Sequence, residues 1–592
     1  MEQAVSLSGL HVSGDALYWN EGRPAEAGRQ AVVRWSAGTD PVDVLPAPFS
    51  ARTTVHEYGG GAFCVSGDTV FFSNFTDQRL RTVDRPLTPE GARYADGDVS
   101  PDGAHIACVR ERHLDRGVVN DLVLVPTDGS GGPTVVAEGH DFYAAPRFAS
   151  DGRLAWIAWD HPRMPWDGTV LELDGRVVAG GPDESISQPR WSPDGALHWI
   201  SDRTGWWNLY REGEPLAPKD AEFAGPDWVF GQSTYAFLDD GRLVATWTEA
   251  GTGRLAVLGE HPLDLPYTSF SSVRAFGTRV AAIAASPTAA PAVVVVDPDT
   301  ARATVVRHSR PNGPDPAYLS SPRAIEFPTT GGATAHALFY PPRNPGHQGP
   351  DGDLPPLVVT SHGGPTSAAS TSLELRTQFW TSRGFAVVDV DYRGSSGYGR
   401  AYREQLAGQW GVVDVDDCVA AAGHLAGAGE VDIDRMAIRG SSASGLTTLL
   451  ALTTGVFAAG ASLYGVADLA ALATDTHKFE SRYLDGLVGR WPDAAATYRE
   501  RSPIHVADRL SAPLIIFQGL DDKVVPPAQA EMLVAALRTA GIPFAYLTFE
   551  GEAHGFRKAE TIRRVVEAEL DFYGQVLGFT PADDVDPVEI QR

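Results

Sequence analysis

Lysine is nearly absent from this 592-residue chain, which carries only Lys219, Lys478, Lys523 and Lys558. With arginine they make 48 basic side chains against 75 acidic ones, a formal net charge of −27. A surface of that sign repels phosphate backbones and anionic lipid, so no nucleic-acid or membrane partner is expected. Cysteine is equally scarce. Cys64, Cys108 and Cys418 match no metal-binding or redox spacing and each sits in an apolar stretch, so buried free thiols are expected. No apolar run reaches the length of a transmembrane helix. The opening residues, MEQAVSLSGLHVSGD, have neither a basic region nor a long apolar one. The expectation is a soluble cytoplasmic protein that needs no metal or organic cofactor.

Glycine (62) and proline (43) are plentiful. That favours many tight turns over a helical bundle. At this length the chain should hold more than one domain. Residues 1–325 read as short alternating strands. Asp-Gly turns recur at 100–103 (SPDG), 150–152 (SDG), 192–195 (SPDG) and 239–241 (DDG), at spacings of 50, 42 and 47 residues. Strand-like runs follow each turn: HIACVRER, RLAWIAWD, ALHWISDR and RLVATWTE. A period of 40–50 residues built from short strands predicts the blades of a β-propeller, about seven over this length. A large β-sandwich is the alternative, and the first two and last two blades have no legible phase.

From about 330 the rhythm changes. Apolar runs such as LPPLVVTSH, FAVVDVDY, RMAIRG and APLIIFQG alternate with helical stretches, as in a mostly parallel α/β sheet. Residues 326–580 are assigned to this second domain. Residues 343–356 read as an exposed Pro/Gly-rich loop, and 581–592 as a free acidic tail.

The chemistry is concentrated here. RMAIRG leads through Ser441, Ser442, Ala443, Ser444 and Gly445 into LTTLLAL. A strand, a small-residue turn and a helix form the setting of a nucleophile elbow, G-x-S-x-G. Counting from Gly440 places the nucleophile at Ser442, whereas counting back from Gly445 would place it at Ala443, which cannot attack. Ser444 stands where the motif wants glycine. Downstream, Asp521 and Asp522 follow the strand LIIFQG, and His554 follows FAYLTFEG. Serine, acid, histidine is the chain order of an α/β-hydrolase triad, in which the acid orients the imidazole and the imidazole takes the serine proton. Asp522 is preferred and Asp521 is the alternative. An oxyanion needs unobstructed backbone N–H donors. Ala443 and the loop His362-Gly363-Gly364-Pro365 are placed to supply them.

These stretches, with DVDYRGSSGYGRAYRE, QWGVVDVDDC and EGEAHGFRKAE, resemble the catalytic domain of the prolyl oligopeptidase family. The likeness is to its bacterial dipeptidyl/acylaminoacyl-peptidase-like branch, which includes puromycin-hydrolysing aminopeptidases. VHEYGGGAF, AWDHPRMPWDGT and SDRTGWWNLYR carry the resemblance into the first half. It implies a serine peptidase or amidase with Ser442, Asp522 and His554 as its triad and with a propeller that restricts substrates to short or unfolded ones. It further implies release of aminoacyl, dipeptidyl or acyl-aminoacyl units. A propeller carboxylate often receives the substrate ammonium, and Glu57 is the candidate, with a plain structural turn as the alternative. Trp166 and Trp206-Trp207 either line the substrate cavity or pack between blades. Phe479 and Tyr483 either wall a hydrophobic pocket or belong to the core. Two other functions stay open at this point: an esterase or amide hydrolase for a secondary metabolite, and a catalytically dead propeller scaffold. Self-association is not decided.

Overall fold

The computed structural model describes residues 4–249 and 251–592. Two compact units emerge. One runs to Pro311 and takes in Gly397–Arg400; the other comprises Asn312–Ser396 with Ala401–Arg592. The division precedes the expected position at 325 because the segment leading to the second unit is already bonded into it. Ser320 N–H donates to Gln378 Oε1 at 2.7 Å, and Ser320 Oγ donates to Pro341 O at 2.6 Å.

The first unit is a seven-bladed propeller of antiparallel sheets spanning 6–43, 63–81, 92–137, 142–180, 186–215, 235–257 and 269–308. The second and sixth blades have three strands and the others four. All four Asp-Gly turns join the first and second strands of a blade. In the remaining blades a glycine with positive φ, Gly14, Gly67 or Gly277, takes the same corner without the Asp-Gly spelling. That change of spelling hides the outer phases.

Period-two alternation assembles the ring. In the third blade Ala95, Ala107, Val109 and Leu122 pack on the fourth, through Tyr143, Leu154 and Trp156. Their strand neighbours Tyr94, Ile106, Cys108 and Val123 face the second blade, meeting Cys64, Phe71 and Leu80. Cys64 and Cys108 are thus free thiols in one apolar interface, and burial pushes both well above the usual thiol range. The first and last blades close the ring by packing. Leu10, Leu17 and Trp19 meet Phe276, Ile283 and Val293. Burying such side chains contributes roughly 1.5–3 kcal/mol each. This outweighs the polar links at the seam, Val5 N–H to Ser309 O at 2.8 Å and Arg307 to Glu21 at 2.7 Å.

The second unit holds an eight-stranded sheet: β1 (Arg323–Pro328), β2 (Thr334–Tyr340), β3 (Leu357–Ser361), β4 (Ala386–Asp391), β5 (Met436–Ser441), β6 (Ala459–Leu463), β7 (Leu514–Gly519) and β8 (Phe544–Phe549). Their order is β1-β2-β4-β3-β5-β6-β7-β8. β1 and β2 are antiparallel to their neighbours and the others pair in parallel. β6 and β7 are buried at every residue, as strands covered by helices on both faces must be. In the same unit Arg439 lies 2.8 Å from Glu569, which also accepts the Tyr573 hydroxyl.

The acidic tail is not free. Val588 is buried and its N–H donates to Asp571 Oδ2 at 2.7 Å, while Arg383 pairs with Asp583. Gln591 exchanges two backbone hydrogen bonds with Phe544 on β8. Charge alone suggests a detached tail, but Val588 and Ile590 give it an apolar anchor. No helix among the described residues is long and apolar enough to cross a membrane.

Candidate active site

β5 ends at Ser441 and the helix Ala443–Ala451 begins two residues later. Ser442 turns the corner between them at φ 55° and ψ −122°. A side chain in that region is strained, which suits a residue whose hydroxyl must stand clear of the sheet. Such close strand–helix packing excludes side chains on either side. A Cβ on Gly440 would lie 2.1 Å from Ser444 O, and one on Gly445 would lie 2.4 Å from Gly465 Cα. Ser444 escapes this constraint. Its Oγ turns back on the strand end, accepting the Ser441 N–H at 2.8 Å and donating to Ser441 O at 2.9 Å. Glycine is therefore not required at that position.

Three of the anticipated side chains converge here. His554 Nε2 lies 2.9 Å from Ser442 Oγ, and His554 Nδ1 lies 2.8 Å from Asp522 Oδ2. Asp522 is almost fully buried, and its Oδ1 accepts the N–H groups of Val524 and Val525, both at 2.9 Å. Asp521 is exposed, and its N–H donates to Glu552 O. The two adjacent carboxylates, inseparable by spacing, thus have opposite environments. Glu552, which carries no sequence signal of its own, shapes the histidine loop. Its carboxylate accepts the N–H groups of Arg557 and Lys558 at 2.9 Å each. Tyr464 presents its ring 4.9 Å from His554.

The HGGP loop lies against the elbow. A Cβ on Gly363 would sit 3.8 Å from Ser442 Cβ. Tyr392 OH donates to Pro365 O, and the Thr366 N–H donates to Tyr483 OH. His362 Nε2 is 2.6 Å from Ser395 Oγ, and burial pushes the imidazole down to about 4. It stays neutral at ordinary pH and serves to fix the loop.

Beside Ser442 opens a recess. Its wall is largely apolar: Trp410, Val466, Leu472, Leu484, Leu487, Val524 and Val525, with Tyr483, Thr476 and Glu480 as polar members. Tyr483, for which the sequence leaves a pocket wall and a core role both open, lines the recess and is largely buried. Phe479 is buried and is not among the lining side chains. Leu472, Glu480, Tyr483, Leu484 and Leu487 come from the short helices between 469 and 487, where no motif marks them.

In the propeller unit, Glu57 has φ 65° and its carboxylate lies 2.6 Å from Arg93 Nη1, which also contacts Glu111 at 3.1 Å. It is therefore a partnered carboxylate on a strained turn. The Arg93 cation also stands within the only His/Asp/Glu grouping of metal-ligand proportions among the described residues, Glu57, Glu111 and His113. Trp166 is buried against Trp228, with ring centroids 4.4 Å apart, and Trp207 is buried too.

A serine oxygen hydrogen-bonded to an imidazole that is oriented by a buried carboxylate is the arrangement of nucleophilic acyl transfer. Comparison with known proteins agrees with that chemistry. Residues 371–580 match the model of the prolyl oligopeptidase family. The structure of a puromycin-hydrolyzing peptidase from Mycobacterium tuberculosis superposes with a TM-score of 0.95 at 44% identity, covering 100% of this chain and 97% of that one. Dipeptidyl aminopeptidase BIII of Pseudoxanthomonas mexicana is 30% identical over 46% of this chain and 38% of its own length. An acylamino-acid-releasing enzyme of Arabidopsis thaliana is 28% identical over 36% of this chain and 29% of its own. The chain thus spans about a third of the length of these curated relatives. Motif order, propeller, sheet topology and end-to-end similarity lead to one assignment: this chain belongs to the prolyl oligopeptidase family of serine peptidases.

Proposed function

We propose that the protein hydrolyses short peptides and peptide-like amides through an acyl-enzyme on Ser442. The observation that carries this reading is the continuous chain Ser442–His554–Asp522, with contacts of 2.9 and 2.8 Å. Ser442 Oγ attacks the carbonyl while His554 Nε2 takes its proton. The imidazolium is stabilised by Asp522 and returns the proton to the leaving amine, and water then repeats the sequence on the acyl ester. The N–H of Ala443 and that of Gly363 or Gly364 hold the oxyanion. The recess beside Ser442 accepts the side chain preceding the scissile bond, and its apolar wall favours a large apolar residue there. The dipeptidyl and acylamino-acid-releasing relatives support release of small N-terminal units. The puromycin-hydrolyzing relative extends the proposal to amides that are not peptides. Three buried free cysteines support a reducing, cytoplasmic setting.

The test compares aminoacyl anilides, N-acylated aminoacyl anilides and simple aryl esters, alongside labelling by a fluorophosphonate. Anilide turnover lost in Ser442→Ala, with labelling of the native protein alone, is the expected result. Esters turned over while every anilide is refused would replace the peptidase reading by an esterase. A native protein that takes no label would make it a scaffold.

A further inference from the structure

The stretch that walls one side of the recess beside Ser442 follows a helical rhythm. The single turn Lys478–Glu480 leads into the helix Tyr483–Leu487. Glu480, Tyr483, Leu484 and Leu487 all line the recess, spaced i, i+3, i+4 and i+7 as on one helix face. Three members of that stripe are aromatic or aliphatic. The other is a carboxylate, at a position where packing alone calls for one more apolar side chain. Among the described residues Glu480 is the only charged group in the lining.

Its setting is unfavourable for a charge. The Glu480 side chain is 13% exposed, and Trp410, Leu472 and Leu487 give the same recess an apolar wall. A carboxylate drawn out of water is destabilising unless a cation or several donors offset the loss. Within its own turn, His477 Nε2 stands 3.6 Å from Glu480 Oε2, beyond hydrogen-bond length, and that ring is a cation only when protonated. A carboxylate has about four acceptor positions, so a protein partner on one oxygen leaves others for a ligand. The remaining polar side chains of the lining are placed differently. Tyr483 OH is held by Thr366, with Oγ1 at 2.6 Å and N–H at 3.2 Å. Ser442 Oγ belongs to the triad. Thr476 Oγ1 is buried with no hydrogen-bond partner. A carboxylate and an unsatisfied hydroxyl thus share one otherwise apolar recess, and a wholly apolar occupant would desolvate both without replacing the lost bonds.

We propose that Glu480 is a specificity-determining residue, and that the recess selects a basic side chain, lysine or arginine, before the scissile bond. The apolar wall packs the methylene stem, and Glu480 receives the charged end through charge-assisted hydrogen bonds. The net charge of −27 favours the approach of such substrates. The inference rests on the peptidase reading above. It narrows the large residue assigned to the recess to one with an apolar stem and a cationic tip.

The experiment measures kcat/KM on lysyl, arginyl, norleucyl and phenylalanyl anilides, for the full-length native protein and for Glu480→Gln. Norleucine keeps the lysine stem and lacks its ammonium. Native protein should prefer the lysyl over the norleucyl anilide by about ten- to a hundredfold, the size of a charge-assisted hydrogen bond. In Glu480→Gln that ratio should collapse towards one. A second readout needs no variant: butylguanidine, which mimics the side chain alone, should slow fluorophosphonate labelling of native Ser442 where butanol at the same concentration does not. Lysyl and norleucyl anilides turned over equally by native protein, or labelling slowed by both probes alike or by neither, would overturn the proposal. So would a loss in Glu480→Gln that is the same for all four anilides, which would assign the carboxylate to the substrate α-ammonium or to the fold. Failure of the peptidase reading itself looks different, since then no anilide is turned over and no label is taken.

Discussion

Replacing Asp522 by asparagine tests the acid without changing the volume of the site. The two backbone donors decide the outcome. Asp522 Oδ1 is held by the N–H groups of Val524 and Val525, so the amide oxygen of an asparagine must occupy that place. Its NH2 is then left facing His554 Nδ1, at the position of the present 2.8 Å contact. A donor there requires Nδ1 to be unprotonated, and in the neutral ring the proton moves to Nε2. That nitrogen lies 2.9 Å from Ser442 Oγ and would donate to it instead of accepting its proton. Wrong-tautomer triads lose about 10⁴ in rate, equivalent to about 5.5 kcal/mol of transition-state stabilisation. The loss should appear in kcat with KM nearly unchanged, measured on an aminoacyl anilide with stability checked by thermal unfolding. Asp521→Asn, altering an exposed side chain, should stay within a few-fold of the native rate. Asp522→Asn within tenfold of native, or equal losses at the two positions, would refute the assignment of the acid.

Local geometry gives two further outcomes. Ser444→Gly removes both bonds between Ser444 Oγ and the Ser441 backbone and loosens the first turn of the helix, and should cost roughly 1–2 kcal/mol in denaturant unfolding while kcat changes only a few-fold. Asp389, on β4, is pushed up to about 7 by burial, with Asp391 and Glu374 adding to the effect. Its folded form holds a proton that the unfolded form releases near pH 4, so stability is lost as pH rises from about 4 to 7. Asp389→Asn should therefore unfold a few degrees above native protein at pH 8, with the difference shrinking as pH falls towards 4; an advantage larger at pH 4 than at pH 8 would contradict this sign.

Much of the molecule is legible in local spelling. The elbow, the aspartate loop and the histidine loop each need particular residues at a strand end, so RGSSASG, GLDDKVV and GEAHGF carry their positions openly. The third to sixth blades are visible because their turns repeat an Asp-Gly pair, although the sixth is not phased from the sequence, and the first, second and seventh make the same corner with a bare glycine. The hidden features depend on residues far apart in the chain. The choice between Asp521 and Asp522 rests on which carboxylate the fold buries. The recess wall is assembled from short helices whose apolar residues look like any core.

The two backbone hydrogen bonds between Gln591 and Phe544 have a consequence for handling the protein. β8 lies at one end of the eight-stranded sheet, and an outermost strand offers unpaired N–H and C=O groups to any extended segment it meets. The closing residues occupy part of that row, and Val588 seals the apolar surface behind it. A version shortened to residue 580 would keep its catalytic loops yet expose an adhesive strand, and its first symptom would be concentration-dependent clumping of folded, active molecules.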